Sequence, residues 1–79
     1  MKLPRDVSGE RLIRMLVRNC RYRKVHQVGS HVVLQTDDPK HHRLSVPNHP
    51  VLKVGTLNAI LRQVAKAKNI PREHLASKL

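Results

Sequence analysis

The spacing of apolar residues changes twice along this chain, and the two changes constrain its architecture more than any other feature. Between Ser8 and Cys20, the apolar residues Leu12, Ile13, Leu16, Val17 and Cys20 recur at helical intervals. From His31 onward the interval falls to two. Val32 and Leu34 alternate with His31, Val33 and Gln35, and His42, Leu44 and Val46 alternate with His41, Arg43 and Ser45. At Leu57 the helical interval returns with Ile60, Leu61 and Val64. Two helices with one apolar stripe each, around strands with one apolar face each, bury both by packing in two layers. The pattern predicts an α+β fold of order α-β-β-β-α: a three-stranded antiparallel sheet with two helices on one face. The other face of the sheet is then polar and available.

Local signals set the boundaries. Lys2 to Val7 is a lead-in held out of helix by Pro4, and Ser8 is a good N-cap with Glu10 in the first turn. The first helix therefore runs from about Ser8 to Cys20. Arg11, Arg14, Arg18 and Arg21 recur on its exposed side as a basic stripe whose like charges repel. The first strand, Tyr22 to Val28, is only weakly patterned, and Gly29-Ser30 is a natural turn into the second, His31 to Thr36. Asp37-Asp38-Pro39-Lys40 turns the chain into the third strand, His41 to Val46, which Pro47 ends. Thr56 is the expected N-cap of a second helix reaching Lys68. Pro71 favours the start of a short terminal helix in which Leu75 and Leu79 share a face. The expected organisation is one domain over residues 1–79, with a core from about 2 to 68 and an extension from about 69 to 79.

A chain of 79 residues with ten Leu, ten Val and three Ile, and with Tyr22 as its lone aromatic, builds one small aliphatic core. The single Cys20 excludes an intramolecular disulfide and every cysteine-based zinc motif. His41 and His42, considered with His49 as metal ligands, are adjacent on a strand and point to opposite faces, so no metal or other cofactor is expected. Charges throughout the first twenty residues and the lack of any long apolar run give no signal peptide and no membrane span. The expectation is a soluble cytoplasmic protein without a membrane role.

Sixteen Lys and Arg against five Asp and Glu leave a formal charge of +11, more than solubility requires. Such an excess suits a polyanion, either nucleic acid or an acidic protein. With one aromatic residue the chain cannot build a base-stacking platform, so recognition would run through backbone charge and shape with little sequence specificity. Arg11, Arg14, Arg43 and Arg62 are candidate RNA contacts. Within this basic chain, the Gly29-Ser30 turn delivers His31 onto the apolar strand Val32-Val33-Leu34. Histidine is the usual proton carrier near neutral pH.

Gly29-Ser30-His31 with its apolar strand is followed by Leu44-Ser45-Val46-Pro47-Asn48-His49 and then by Leu52-Lys53-Val54-Gly55-Thr56-Leu57-Asn58-Ala59-Ile60-Leu61. In this order, and with the lead-in Lys2-Leu3-Pro4-Arg5-Asp6-Val7-Ser8-Gly9, they resemble the HicA toxins, small mRNA interferases of toxin–antitoxin modules. The resemblance covers Lys2 to about Lys68. It implies a fold like the double-stranded-RNA-binding domain, in agreement with the order read from periodicity. It also implies ribosome-independent, metal-independent cleavage of mRNA, neutralised by a HicB-like antitoxin in a hetero-oligomer. The catalytic histidine of the family falls on His31, with Gly29 and Ser30 as the supporting turn. Many relatives carry a second histidine directly after it, where this chain has Val32; alternation sends that side chain to the opposite face. His49 and Lys53 are candidates for protonating the leaving oxygen or holding phosphate. Two other readings compete: a non-catalytic RNA-binding module on the same fold, and a basic protein that only binds an acidic partner.

Overall fold

The computed structural model describes residues 4–79, so Lys2 and Leu3 of the expected lead-in lie outside the described residues. Its elements follow the expected order: α1 (Gly9–Asn19), β1 (Arg23–Val28), β2 (His31–Thr36), β3 (His42–Pro47), α2 (Val54–Lys68) and α3 (Arg72–Ala76). The three strands form one antiparallel sheet in the order β1-β2-β3. Among the described residues, no helix is long and apolar enough to cross a membrane.

Ser8 caps α1 as its sequence suggested, accepting a hydrogen bond from the Arg11 backbone N–H at 3.0 Å. Leu12, Met15 and Leu16 form the buried stripe of the helix. Val17, expected in that stripe, is 42% exposed, because it lies about 100° round the helix from Leu16, beyond the contact line. The basic stripe is also shorter than expected. Arg21 lies past the helix end at φ 57°, so Arg11, Arg14 and Arg18 alone share the helix, and Arg14 is paired with Glu10 at 2.9 Å.

The strands reproduce the predicted faces. Val32, Leu34 and Thr36 of β2 and Leu44 and Val46 of β3 are buried under the helices. His31, Val33 and Gln35, with Arg43 and Ser45, line the opposite, open face. By contrast, all six residues of β1 are exposed. This strand lies beyond the cover of the helices and is held by its ladder to β2. Its register breaks between Lys24 and His26, where Val25 is inserted as a bulge.

In α2, the predicted start is three residues late. The helix begins at Val54 with Lys53 as an extended N-cap, and Thr56 falls in its first turn. Tertiary structure sets this start: Leu52 is buried, its N–H bonds the Val7 carbonyl at 2.8 Å, and the Lys53 carbonyl accepts from Leu57 at 2.9 Å. Leu57, Ile60, Leu61 and Val64 are the buried face, as their spacing required. Asn69 ends α2 in the left-handed region, and Pro71 starts α3, whose Leu75 and Ala76 are buried against the core.

One close approach ties α1 to the end of β3. A Cβ built on Gly9 would overlap the Pro47 carbonyl oxygen and stand 2.7 Å from the Asn48 Cα. The Gly9 N–H also bonds the His49 carbonyl at 2.9 Å. Gly9→Ala should therefore destabilise the fold by about 1–3 kcal/mol through overpacking against backbone, despite the better helix propensity of alanine. Urea denaturation measures this; an unchanged or raised midpoint would show that the loop yields freely.

Candidate active site and nucleic-acid interface

Gly29 and Ser30 form a two-residue connection in which Gly29 adopts φ 57°, a conformation that glycine enters without a Cβ penalty. The tightness of this turn fixes the register, so Val28 faces His31 directly across the β1–β2 ladder. On its other side His31 pairs with Pro47 of β3. The histidine thus opens the central strand, exposed, on the face that the helices leave free. The segment after β3 folds onto the turn. The Asn48 N–H bonds the Ser30 carbonyl at 2.6 Å, and Ser30 Oγ lies 3.5 Å from His49 Nε2. His49 therefore stands next to the turn that presents His31, an arrangement built by the Gly9 contact on its carbonyl.

The other candidates separate by layer. Arg43 is exposed on the open face with His31. Because Arg43 pairs with Gln35 and His31 with Pro47, the two stand two rows apart, about 13 Å along the sheet. Arg11 and Arg14 on α1, and Arg62 on α2, are exposed on the helical layer, as is Lys53 at the head of α2. They do not share the face of His31. Two residues that sequence reasoning left aside do share it. Arg23 faces Gln35, and His26 faces Val33. The signal for His26 was present in the chain: a two-residue turn pairs Val28 with His31, and counting back two from Val28 reaches His26.

At the far end of the sheet, a second cluster is structural. Tyr22 is buried, and its hydroxyl lies 2.7 Å from His42 Nδ1. Lys68 Nζ donates to Thr36 Oγ1 at 2.8 Å and to the Asp38 carbonyl, and sits 5.0 Å from the Tyr22 ring centre. Burial lowers the pKa of His42 and of Lys68, and pushes that of Tyr22 up to about 12. The Tyr22 hydroxyl and the His42 ring thus satisfy each other through one hydrogen bond, and the cluster leaves no buried side-chain polar atom unpartnered among the described residues. Nearby, Asp37 joins Arg23 at 2.9 Å and His41 at 3.1 Å, and both hydrogen bonds hold its carboxyl below the usual range. A cleft of about 720 Å³ between the β2–β3 turn and α2, lined by Lys40, His41, His42 and Lys66, opens at this same end. His31 lies exposed at the other end of the sheet. Among the described residues, no three His, Cys, Asp or Glu side chains are grouped to hold a metal ion.

The chain is thus a basic α-β-β-β-α domain that bares a histidine on its free sheet face, and residues 9–65 match the family model described as HicA toxin of bacterial toxin-antitoxin. The chain belongs to the HicA toxin family. No curated protein and no solved structure matches it.

The shift of Tyr22 gives a pH prediction for the fold. Because its folded pKa lies above the unfolded value of about 10, its contribution to stability is complete below that pH. The contribution is lost as pH rises through about 12. Tyr22 is the sole tyrosine, so phenolate absorbance should show a midpoint near 12 in the folded protein. In denaturant the midpoint should return to about 10. Equal midpoints in the two states would mean that the ring is solvated in the fold.

Proposed function

We propose that this HicA-family chain is an endoribonuclease that cleaves mRNA independently of metal and of the ribosome, with His31 as its catalytic base. The observation that carries the reading is the position of His31: exposed, at the mouth of a tight turn, on a polar sheet face that also bears Arg43. Ribose offers an internal nucleophile. His31 takes the proton of the 2′-hydroxyl as that oxygen bonds to phosphorus. The bond from phosphorus to the 5′-oxygen then breaks, leaving a 2′,3′-cyclic phosphate upstream and a 5′-hydroxyl downstream. Arg43, about 13 Å along the same face, holds a neighbouring phosphate of the RNA. A HicB-like antitoxin neutralises the activity by covering the same face in a cytoplasmic hetero-oligomer.

His31→Ala should lower RNA cleavage by about 10²- to 10⁴-fold, the usual worth of general base catalysis, while an exposed strand position leaves folding and most RNA affinity intact. Cleavage by the unaltered protein should persist in excess EDTA, spare DNA, leave 5′-hydroxyl ends and stop on addition of the antitoxin. Undiminished cleavage by folded His31→Ala protein would remove this residue from the mechanism. RNA binding with no cleavage by the unaltered protein would favour a non-catalytic module, and no RNA affinity at all would favour a purely protein-binding role.

The charge makes a separate prediction. Each phosphate neutralised on a single strand contributes a slope of about −0.7 to log affinity against log salt. RNA affinity should therefore fall steeply between about 50 and 200 mM salt. Arg43→Gln should flatten the slope by about 0.7 if Arg43 contacts one phosphate. Affinity independent of salt would separate the basic surface from RNA binding.

A further inference from the structure

Cleavage by internal attack is an in-line displacement. The 2′-oxygen enters on one side of phosphorus and the 5′-oxygen leaves on the other. A base within hydrogen-bond reach of the entering oxygen is not also within reach of the leaving one, and that oxygen departs far faster as an alcohol than as an alkoxide. His31 therefore calls for a proton donor placed on its own face but displaced from it by the width of a phosphate.

The strand register supplies one. Counted by strict alternation from Arg23, which faces Gln35 on the open side, His26 would fall on the covered side of the sheet. The bulge at Val25 adds one residue to β1 and reverses the phase. After it, His26 faces Val33 and Val28 faces His31, so His26 and His31 are diagonal neighbours on the open face. Diagonal neighbours across an antiparallel pair stand about 7–8 Å apart, and the rings at the ends of their side chains can approach a phosphate from two sides. Both histidines are exposed. The other candidates differ in setting: Lys53 is the N-cap of α2 rather than a sheet residue, and the Nε2 of His49 stands 3.5 Å from Ser30 Oγ. The inserted Val25 lies outside the buried core cluster.

We infer that His26 is the second catalytic histidine, the general acid that protonates the leaving 5′-oxygen of the RNA while His31 accepts the proton of the 2′-hydroxyl. The inference rests on the ribonuclease reading above. The balance is simple: one proton passes to His31 from the nucleophile and one passes from His26 to the leaving group. The O2′–P bond forms and the P–O5′ bond breaks, with no oxidant, metal or co-reactant. Proton exchange with water resets the pair.

An RNA whose cleaved linkage has been mapped with the unaltered protein tests the assignment, once in its natural form and once with sulfur replacing the bridging 5′-oxygen. A thiolate leaves without protonation. His26→Gln should lose about 10²-fold or more on the natural linkage and recover to within about threefold of the unaltered protein on the sulfur linkage. His31→Gln should lose activity on both. His26→Val, which keeps strand propensity, should behave as His26→Gln does, and rescue on the sulfur linkage itself shows an intact fold. Equal loss by both His26 variants on the two linkages, or no loss on either, would overturn the inference while leaving the ribonuclease reading intact. Failure of the unaltered protein to cut either RNA would overturn both.

Discussion

Burial of one face of the sheet, and only one, is the constraint on which the rest of this molecule depends. The two long helices press their aliphatic stripes onto Val32, Leu34, Leu44 and Val46, leaving Val28 and Val33 among the polar residues of the other side. A fully buried aliphatic side chain contributes about 1.5–3 kcal/mol, so this layer holds the sheet against the helices without any aromatic anchor beyond Tyr22. The face that remains is solvated, and solvation is what lets it carry two histidines and two arginines without the cost of burying charge. The open face is the complement of the core.

The same one-sidedness decides what the sequence reveals. Strands β2 and β3 were legible to within a residue because their alternate positions are buried, and α1 and α2 because each has one buried stripe. Strand β1 was only weakly patterned for two physical reasons now visible: neither of its faces is covered, and Val25 breaks its phase. The start of α2 was misplaced at Thr56 because side-chain capping was the only signal available. The actual start is set by a long-range backbone bond from Leu52 to Val7. Val17 shows the limit of periodicity, since a stripe of five apolar residues is wider than the contact it serves.

At the candidate site, the turn and His31 were legible from local residues, and the Gly29-Ser30 connection alone was enough to fix what faces them. The surroundings were not. Asn48 and His49 reach Ser30 because the chain after β3 is pinned by the first turn of α1, across some forty residues of sequence. No local pattern encodes that contact. The absence of a side chain at Gly9 permits it, but glycine is common enough at helix starts that its presence there marks no particular neighbour.

The outer edge of β1 has a consequence of a different kind. An unpaired strand border is a template on which a second copy of the chain can add its own strand, and repetition of that step builds aggregates. Here the border is kinked by the inserted Val25 and flanked by Arg23 and Lys24 on a chain of charge +11. Two identical copies repel before their backbones can register. The same excess of positive charge that marks the sequence therefore also opposes the recruitment of a second copy to this border.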